Sequence, residues 1–304
     1  MRERCGILRV VLWYDGPYAK YRRAGEHLHA LYDGIRVFIR NEPYEVVPEL
    51  DGDGWQVGRF HVLREPPPDW SLWFGDLVQN LRASLDHSIA SLSTASKERI
   101  EYPIKLQRDQ YLGPIDSRNP GSRSHRDIDL AGLDDPYMAI VDASQPYLRG
   151  NIKAARKDPL AILAWLSNAD KHRLIHPAFH RQAGQPRIIV SRGRLSDIRI
   201  RHIPRNQPVG DGTEVYRWKP IPGKEMDVDV NVHVGFTVAF SEWALDYVDL
   251  EDLWHYVMRP IGAFRAISEG RKAILDTTWP PLRTGRSAQP WDRPEPRRRE
   301  RPFG

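Results

Sequence analysis

The stretch Gly75-Asp76-Leu77-Val78-Gln79-Asn80-Leu81-Arg82-Ala83-Ser84-Leu85-Asp86-His87 decides how this chain is read. On a helical wheel, Trp70, Phe74, Leu77, Leu81, Leu85 and Leu92 fall in one narrow arc, which predicts a helix from Trp70 to about Thr94 with one buried face. Asp69 is placed to cap it, behind the stiff run Pro66-Pro67-Pro68. Asn80 and His87 are seven apart and stack on one shoulder of the apolar face, with Asp76 close by. Arg82 and Asp86 are four apart on the other. These are boundary positions, where polar side chains meet a neighbouring helix. In the plainest account Arg82 and Asp86 form an i,i+4 pair worth about 0.2–0.5 kcal/mol, and His87 bonds to a neighbour.

A second helix is expected from Asp158-Pro159, a cap followed by a first-turn proline, to about His176, where Pro177 stops it. Leu160, Leu163, Leu166 and Leu174 make its apolar face. Asp170 projects into the middle of that face, with Arg173 on its edge. A carboxylate facing a core is costly unless paired, so Asp170 is expected to meet a cation or donor from another helix, Arg82 first and His87 second. Lys171, His172 and Arg173 complement the dipole near the helix C-terminus. His172 and His176 lie on the other side with Trp165 and Asn168. That spacing suits a divalent metal ion, with His87, Asp86 or His180 as a third ligand.

Outward from these two helices, Leu28, Leu31, Ile35 and Phe38 predict a helix over 18–40, ended by Pro43. Residues 44–47 and 55–63 predict a β-hairpin around Asp51-Gly52-Asp53-Gly54. Residues 6–14 read as a strand or an unpaired extension. Residues 96–157 are irregular, with a short helix at 134–143. Strands are expected at 186–192, 196–203, 213–219 and 226–240, the last alternating from Val228 to Phe240 with a bend at Gly235. A helix over 249–275 is kinked near Pro260. The order is α+β rather than alternating βαβ. It divides into an extension (1–16), a helical part with a β-hairpin insertion (17–180), a β-rich part with an antiparallel sheet and a long helix packing back (181–279), and a disordered Pro/Arg tail (280–304).

The net charge of +5 is local. From Pro280 onward there are seven Arg against Asp292, Glu295 and Glu300, so the tail carries +4 of it and the body is nearly neutral. Long-range steering of a nucleic acid by the body is therefore weak. One cysteine, Cys5, excludes an internal disulfide framework and fits a reducing cytoplasm. No apolar run reaches the length of a membrane span, and no cofactor motif or nucleophile elbow is present. No cofactor and no membrane partner is expected.

The run Asn80-Leu81-Arg82-Ala83-Ser84-Leu85-Asp86-His87 resembles the Arg-x4-His element of HEPN domains, helical modules of toxins and phage-defence systems, many of them metal-independent ribonucleases. The resemblance implies a bundle of about four helices, often a homodimer, acting on RNA. Arg82 and His87 would be its catalytic pair and Asn80 an auxiliary, supported by Asp86, Asp170, Lys171, His172 and Arg173. Here Ala83 follows the Arg, where HEPN nucleases usually carry a polar residue. The pattern of Gly75-Asp76, Asn80-Leu81-Arg82, Leu85-Asp86-His87 and Asp170-Lys171-His172-Arg173 also resembles a family of uncharacterised bacterial and phage proteins.

In the chemistry so implied, a His serves as base or acid for the 2′-hydroxyl and leaving oxygen, and an Arg fork stabilises the pentavalent phosphate. Five residues set Arg82 and His87 about 140° apart on the wheel, so a second chain or a partner helix is expected to complete the site. Two other accounts remain open. One is a metal hydrolase using His172, His176 and His87. The other is a binding module in which Arg82 and Asp170 form a structural network, and Trp218, Trp243, Tyr247 and Trp254 line a pocket or simply fill the core.

Overall fold

The computed structural model describes residues 12–95, 101–172, 176–181, 187–192, 198–200, 209–223, 227–231, 234–240, 243–244 and 250–273, with side chains for 12–95, 101–171, 199, 209–223 and 250–273. Most of the 6–14 stretch and all of the 280–304 tail lie outside them. The helices are α1 (Asp15–Arg40), α2 (Asp69–Leu92), α3 (Arg108–Leu112), α4 (His125–Asp129), α5 (Asp135–Ala143), α6 (Ile152–Ala155), α7 (Pro159–His172) and α8 (Leu250–Ser268), with a 3-10 turn at Pro146–Arg149. The strands are β1 (Tyr44–Leu50), β2 (Gln56–Val62), β3 (His176–Arg181), β4 (Arg187–Arg192), β5 (Ile198–Ile200), β6 (Glu214–Pro220), β7 (Asp227–Asn231), β8 (Val234–Phe240) and β9 (Trp243–Ala244). The class is α+β, and no described helix is long and apolar enough to cross a membrane.

Two compact units share this chain. Unit one takes the described residues up to Leu28, then 73–172 and 250–273; unit two takes 29–72 and 176–244. The helices α1 and α2 each contribute residues to both units.

Unit one is helical. Of the apolar arc expected on α2, Leu77, Leu81 and Leu85 are fully buried in its core and Leu92 is half-buried; Ile89, outside that arc, is fully buried too, as are Leu160 and Leu163 of α7 and Phe264 of α8. The α8 helix packs on α5 and α7 and continues through the buried Pro260. Trp254 of α8 stacks on Tyr21 of α1, 5.0 Å between ring centroids, and its indole N–H donates to the Tyr21 carbonyl at 3.3 Å. Gly25 permits this approach, because a Cβ there would sit 2.9 Å from the Trp254 ring.

Unit two holds the hairpin β1/β2, extended by β6 and β5 into an antiparallel sheet ordered β1-β2-β6-β5, and the separate ladders β3-β8-β9 and β4-β7. The Asp51 carboxylate accepts the N–H groups of Asp53 and Trp55 at 3.0 and 2.8 Å, and Gly54 adopts φ 78°, so the acidic turn forms as the sequence implies. The Tyr216 ring fills the space that a Cβ at Gly58 would need. Asp51 N–H bonds the Trp55 carbonyl and Leu63 N–H the Pro43 carbonyl, so odd-numbered residues of β1 bond β2 and even-numbered ones face the edge that no described strand pairs. Pro48 is among the latter and removes a donor from the middle of that edge, which blunts it against strand addition.

Three expectations are corrected. The helix α7 ends at His172, and His176 opens β3, because a residue before proline favours extended backbone. The 226–240 stretch is two strands with different partners: β7 pairs with β4, and β8 with β3, so the break precedes Gly235. The strand expected at 196–203 is only Ile198–Ile200 among the described residues.

Candidate functional site

Three lengthwise stripes, each stepping i, i+4, i+7, i+11, order the residues of α2. Trp70, Phe74, Leu77 and Leu81 are the buried stripe. Gly75, Gln79, Arg82 and Asp86 form a second. Asp76, Asn80, Ala83 and His87 form a third, exposed at its two ends and half-buried between.

The second stripe ties α2 to two other segments. Arg82 donates from Nε to Asp86 Oδ2 at 3.2 Å and from Nη2 to the Tyr102 carbonyl at 2.7 Å, with Nη2 also 3.1 Å from Asp86 Oδ1. Asp86 Oδ1 accepts the Tyr102 backbone N–H at 2.7 Å. One ion pair thus holds both main-chain groups of one residue, and its side chains are only 16% and 24% exposed. Downstream, the Gln145 amide donates to the Pro103 carbonyl at 2.8 Å and accepts Lys105 N–H at 3.1 Å, and the Tyr102 hydroxyl meets Ser144 Oγ at 2.5 Å. The 102–105 segment is pinned along its length.

Asp170 does meet a donor from another helix, but it is neither Arg82 nor His87. Gln79 Nε2 donates to Asp170 Oδ2 and to the Ser167 carbonyl, both at 3.0 Å. The carboxylate rests on Gly75, where a Cβ would lie 2.5 Å from Asp170 Oδ1. The α7 helix therefore meets α2 one to two turns before Arg82, whose guanidinium reaches toward Asp86 instead. Gly75→Ala is expected to destabilise unit one by about 1 kcal/mol net: overpacking costs about 1–3 kcal/mol, and the helical preference for Ala returns up to about 1 kcal/mol. Thermal unfolding measures it, and Asp170→Ala in the same chain should relieve most of the loss.

Asn80 donates to the Asp76 carbonyl at 2.8 Å, within its own helix. His87 is exposed, 3.7 Å from where a Cβ of Gly16 would be, and has no hydrogen-bond partner among the described residues. The bonds made by Arg82 include none to His87. Lys171 is exposed. The side chains of His172, Arg173, His176 and His180 lie outside the described residues. His172 and His176 do not share a helical face, since one ends α7 and the other begins β3. Among the described residues no group of three or more His, Cys, Asp or Glu is arranged to hold a metal ion.

The sequence left a second buried cluster unremarked beyond its cap. Asp158 accepts Leu160 N–H at 2.9 Å at the start of α7, as a cap should. It also accepts Arg149 Nε at 2.7 Å, and Arg149 Nη2 donates to the Tyr256 hydroxyl at 2.9 Å. Burial raises the Asp158 carboxyl above its usual range against the pull of Arg149, and pushes Tyr256 up to about 12.

Burial likewise raises the Asp86 carboxyl, opposed by Arg82 and the Tyr102 N–H, whereas the Ser124 side chain and backbone lower Asp127 in its capping box. The two contribute to stability with opposite pH dependence. A raised native value means extra proton uptake on folding. The contribution of Asp86 is thus full below the unfolded carboxylate value of about 4 and lost as pH rises through its native value. That of Asp127 is full above about pH 4 and lost as pH falls through its native value. Denaturant titration should find Asp86→Asn more damaging at about pH 4 than at pH 7, and Asp127→Asn the reverse.

Scans of this chain against protein-family models, curated proteins and solved structures return no match.

Proposed function

We propose that this chain is a non-catalytic binding module in which Arg82 and Asp86 of α2 serve the fold. The engagement of Arg82 carries the proposal. Its guanidinium is mostly buried, and its Nε and Nη2 bind the Asp86 carboxylate and the Tyr102 carbonyl. A cation that must meet a developing phosphate charge has to keep donors free at an accessible surface. Freeing Arg82 would leave Asp86 uncompensated and release the 102–105 segment.

The HEPN-type ribonuclease reading, with RNA as substrate, a homodimer as the working form and toxin or phage-defence as context, has one observation in its favour: His87 is exposed and unpartnered among the described residues. It needs a cation other than Arg82, from a second chain or another helix.

RNA degradation in excess EDTA separates the two. A binding module leaves the RNA intact, and His87→Ala unfolds at the wild-type temperature. Cleavage that survives EDTA and disappears in His87→Ala, with stability unchanged, overturns the proposal in favour of the ribonuclease.

A further inference from the structure

The third stripe of α2 faces a matching stripe on α1. Gly16 lies against His87, and His27 Nε2 is 3.9 Å from Asp76 Oδ2. Gly16 and His27 are eleven residues apart, as are Asp76 and His87, so each pair spans three turns on a single stripe and the helices run antiparallel. Between the two contacts the same steps bring Lys20 opposite Ala83 and Arg23 opposite Asn80.

The middle of this seam is cationic and has donors to spare. Lys20 is half-buried and makes no hydrogen bond or ion pair among the described residues, and the same holds for the exposed His87. Among the described residues Arg23 pairs only with Glu26, both more than half exposed, an attachment that contributes little. Asn80 spends one amide N–H on the Asp76 carbonyl and keeps the second as a donor among the described residues. Ala83 has the smallest side chain of the four on its stripe, which leaves room between the longer ones. Asp76 closes one end with a negative charge.

We infer that the α1/α2 seam binds a small phosphate-bearing ligand between Lys20, Arg23 and His87. Lys and Arg give charge-assisted bonds to phosphate oxygens, and an imidazole N–H adds a third donor. The Asp76 end sets the size. A mono- or diphosphate fits the cationic middle, whereas a polyanion running the whole seam would meet the carboxylate. The inference rests on the reading of the chain as a binding module and supplies its ligand class.

Calorimetric titration of the full chain with inorganic pyrophosphate at low salt tests it. Saturable binding is expected, about tenfold weaker in Lys20→Gln and several-fold weaker in His87→Gln. Asp76→Asn should bind more tightly, and Arg36→Gln on the distant half of α1 should bind as wild type. Amide chemical shifts in the wild-type protein should move at 16–27 and 76–87. Absence of saturation, affinity indifferent to Lys20→Gln and His87→Gln, or shifts confined elsewhere each overturn it. Failure here leaves the non-catalytic reading standing, and His87-dependent RNA cleavage would remove that reading without touching a measured pyrophosphate affinity.

Discussion

Arg82→Ala is expected to lower the stability of unit one by about 3 kcal/mol, the lower end for removing one partner of a buried ion pair. For a unit of this size that is a fall of roughly 6–12 °C in the unfolding midpoint. Two losses combine. Asp86 keeps its burial without its cation, and the Tyr102 carbonyl loses a 2.7 Å charge-assisted bond. Arg82→Lys should recover only part of this, since an ammonium cannot span the carboxylate and the carbonyl as a planar fork does. A double-mutant cycle with Asp86→Ala should return a coupling of at least about 1 kcal/mol, because the residues share one network. An Arg82→Ala protein within about 0.5 kcal/mol of wild type, the usual range for uninvolved surface sites, would show that the tie does not hold the 102–105 segment.

Asp158→Ala should be at least as damaging, about 4 kcal/mol, because an uncompensated buried cation is added to the loss of a helix cap. The Asp158 side chain is 0% exposed, so nothing from solvent replaces it beside Arg149. Asp158→Asn keeps an oxygen for Leu160 N–H and should lose about half as much. The diagnostic variant is Arg149→Met in the Asp158→Ala chain. If the cost lies in the stranded guanidinium, the double variant is more stable than Asp158→Ala alone; if the cap dominates, it is no better. Chemical denaturation resolves either outcome.

The helical half was the more legible from sequence, because one-sided apolar periodicity over 24 to 26 residues leaves little choice of structure. The hairpin was legible for a local reason, the acidic Gly-containing turn. What failed depended on partners far along the chain. Asp170 was correctly identified as needing a donor, yet charge alone favoured Arg82, while the contact is set by where α7 crosses α2. Gly75 and Gln79, four apart on one stripe, were the available signal: a residue without a side chain beside one with an amide marks a close crossing. Tyr102, pinned from three sides, gave no sign at all, since backbone groups accept from any sequence. The 226–240 alternation concealed two strands, because period two is the same whether or not the chain changes partners.

The Trp254–Tyr21 contact bears on how the chain is made. Its two ends are 233 residues apart in sequence. During synthesis the aromatic ring that covers Gly25 emerges 233 residues after Tyr21 of the α1 helix. Until then that face of α1 stays open to water and to chance associations, and the long loop must close before the contact yields any stability. Unit one thus begins before the described part of unit two and is completed after it. A nascent chain stalled before α8 should depend on chaperones in a way that the finished protein does not.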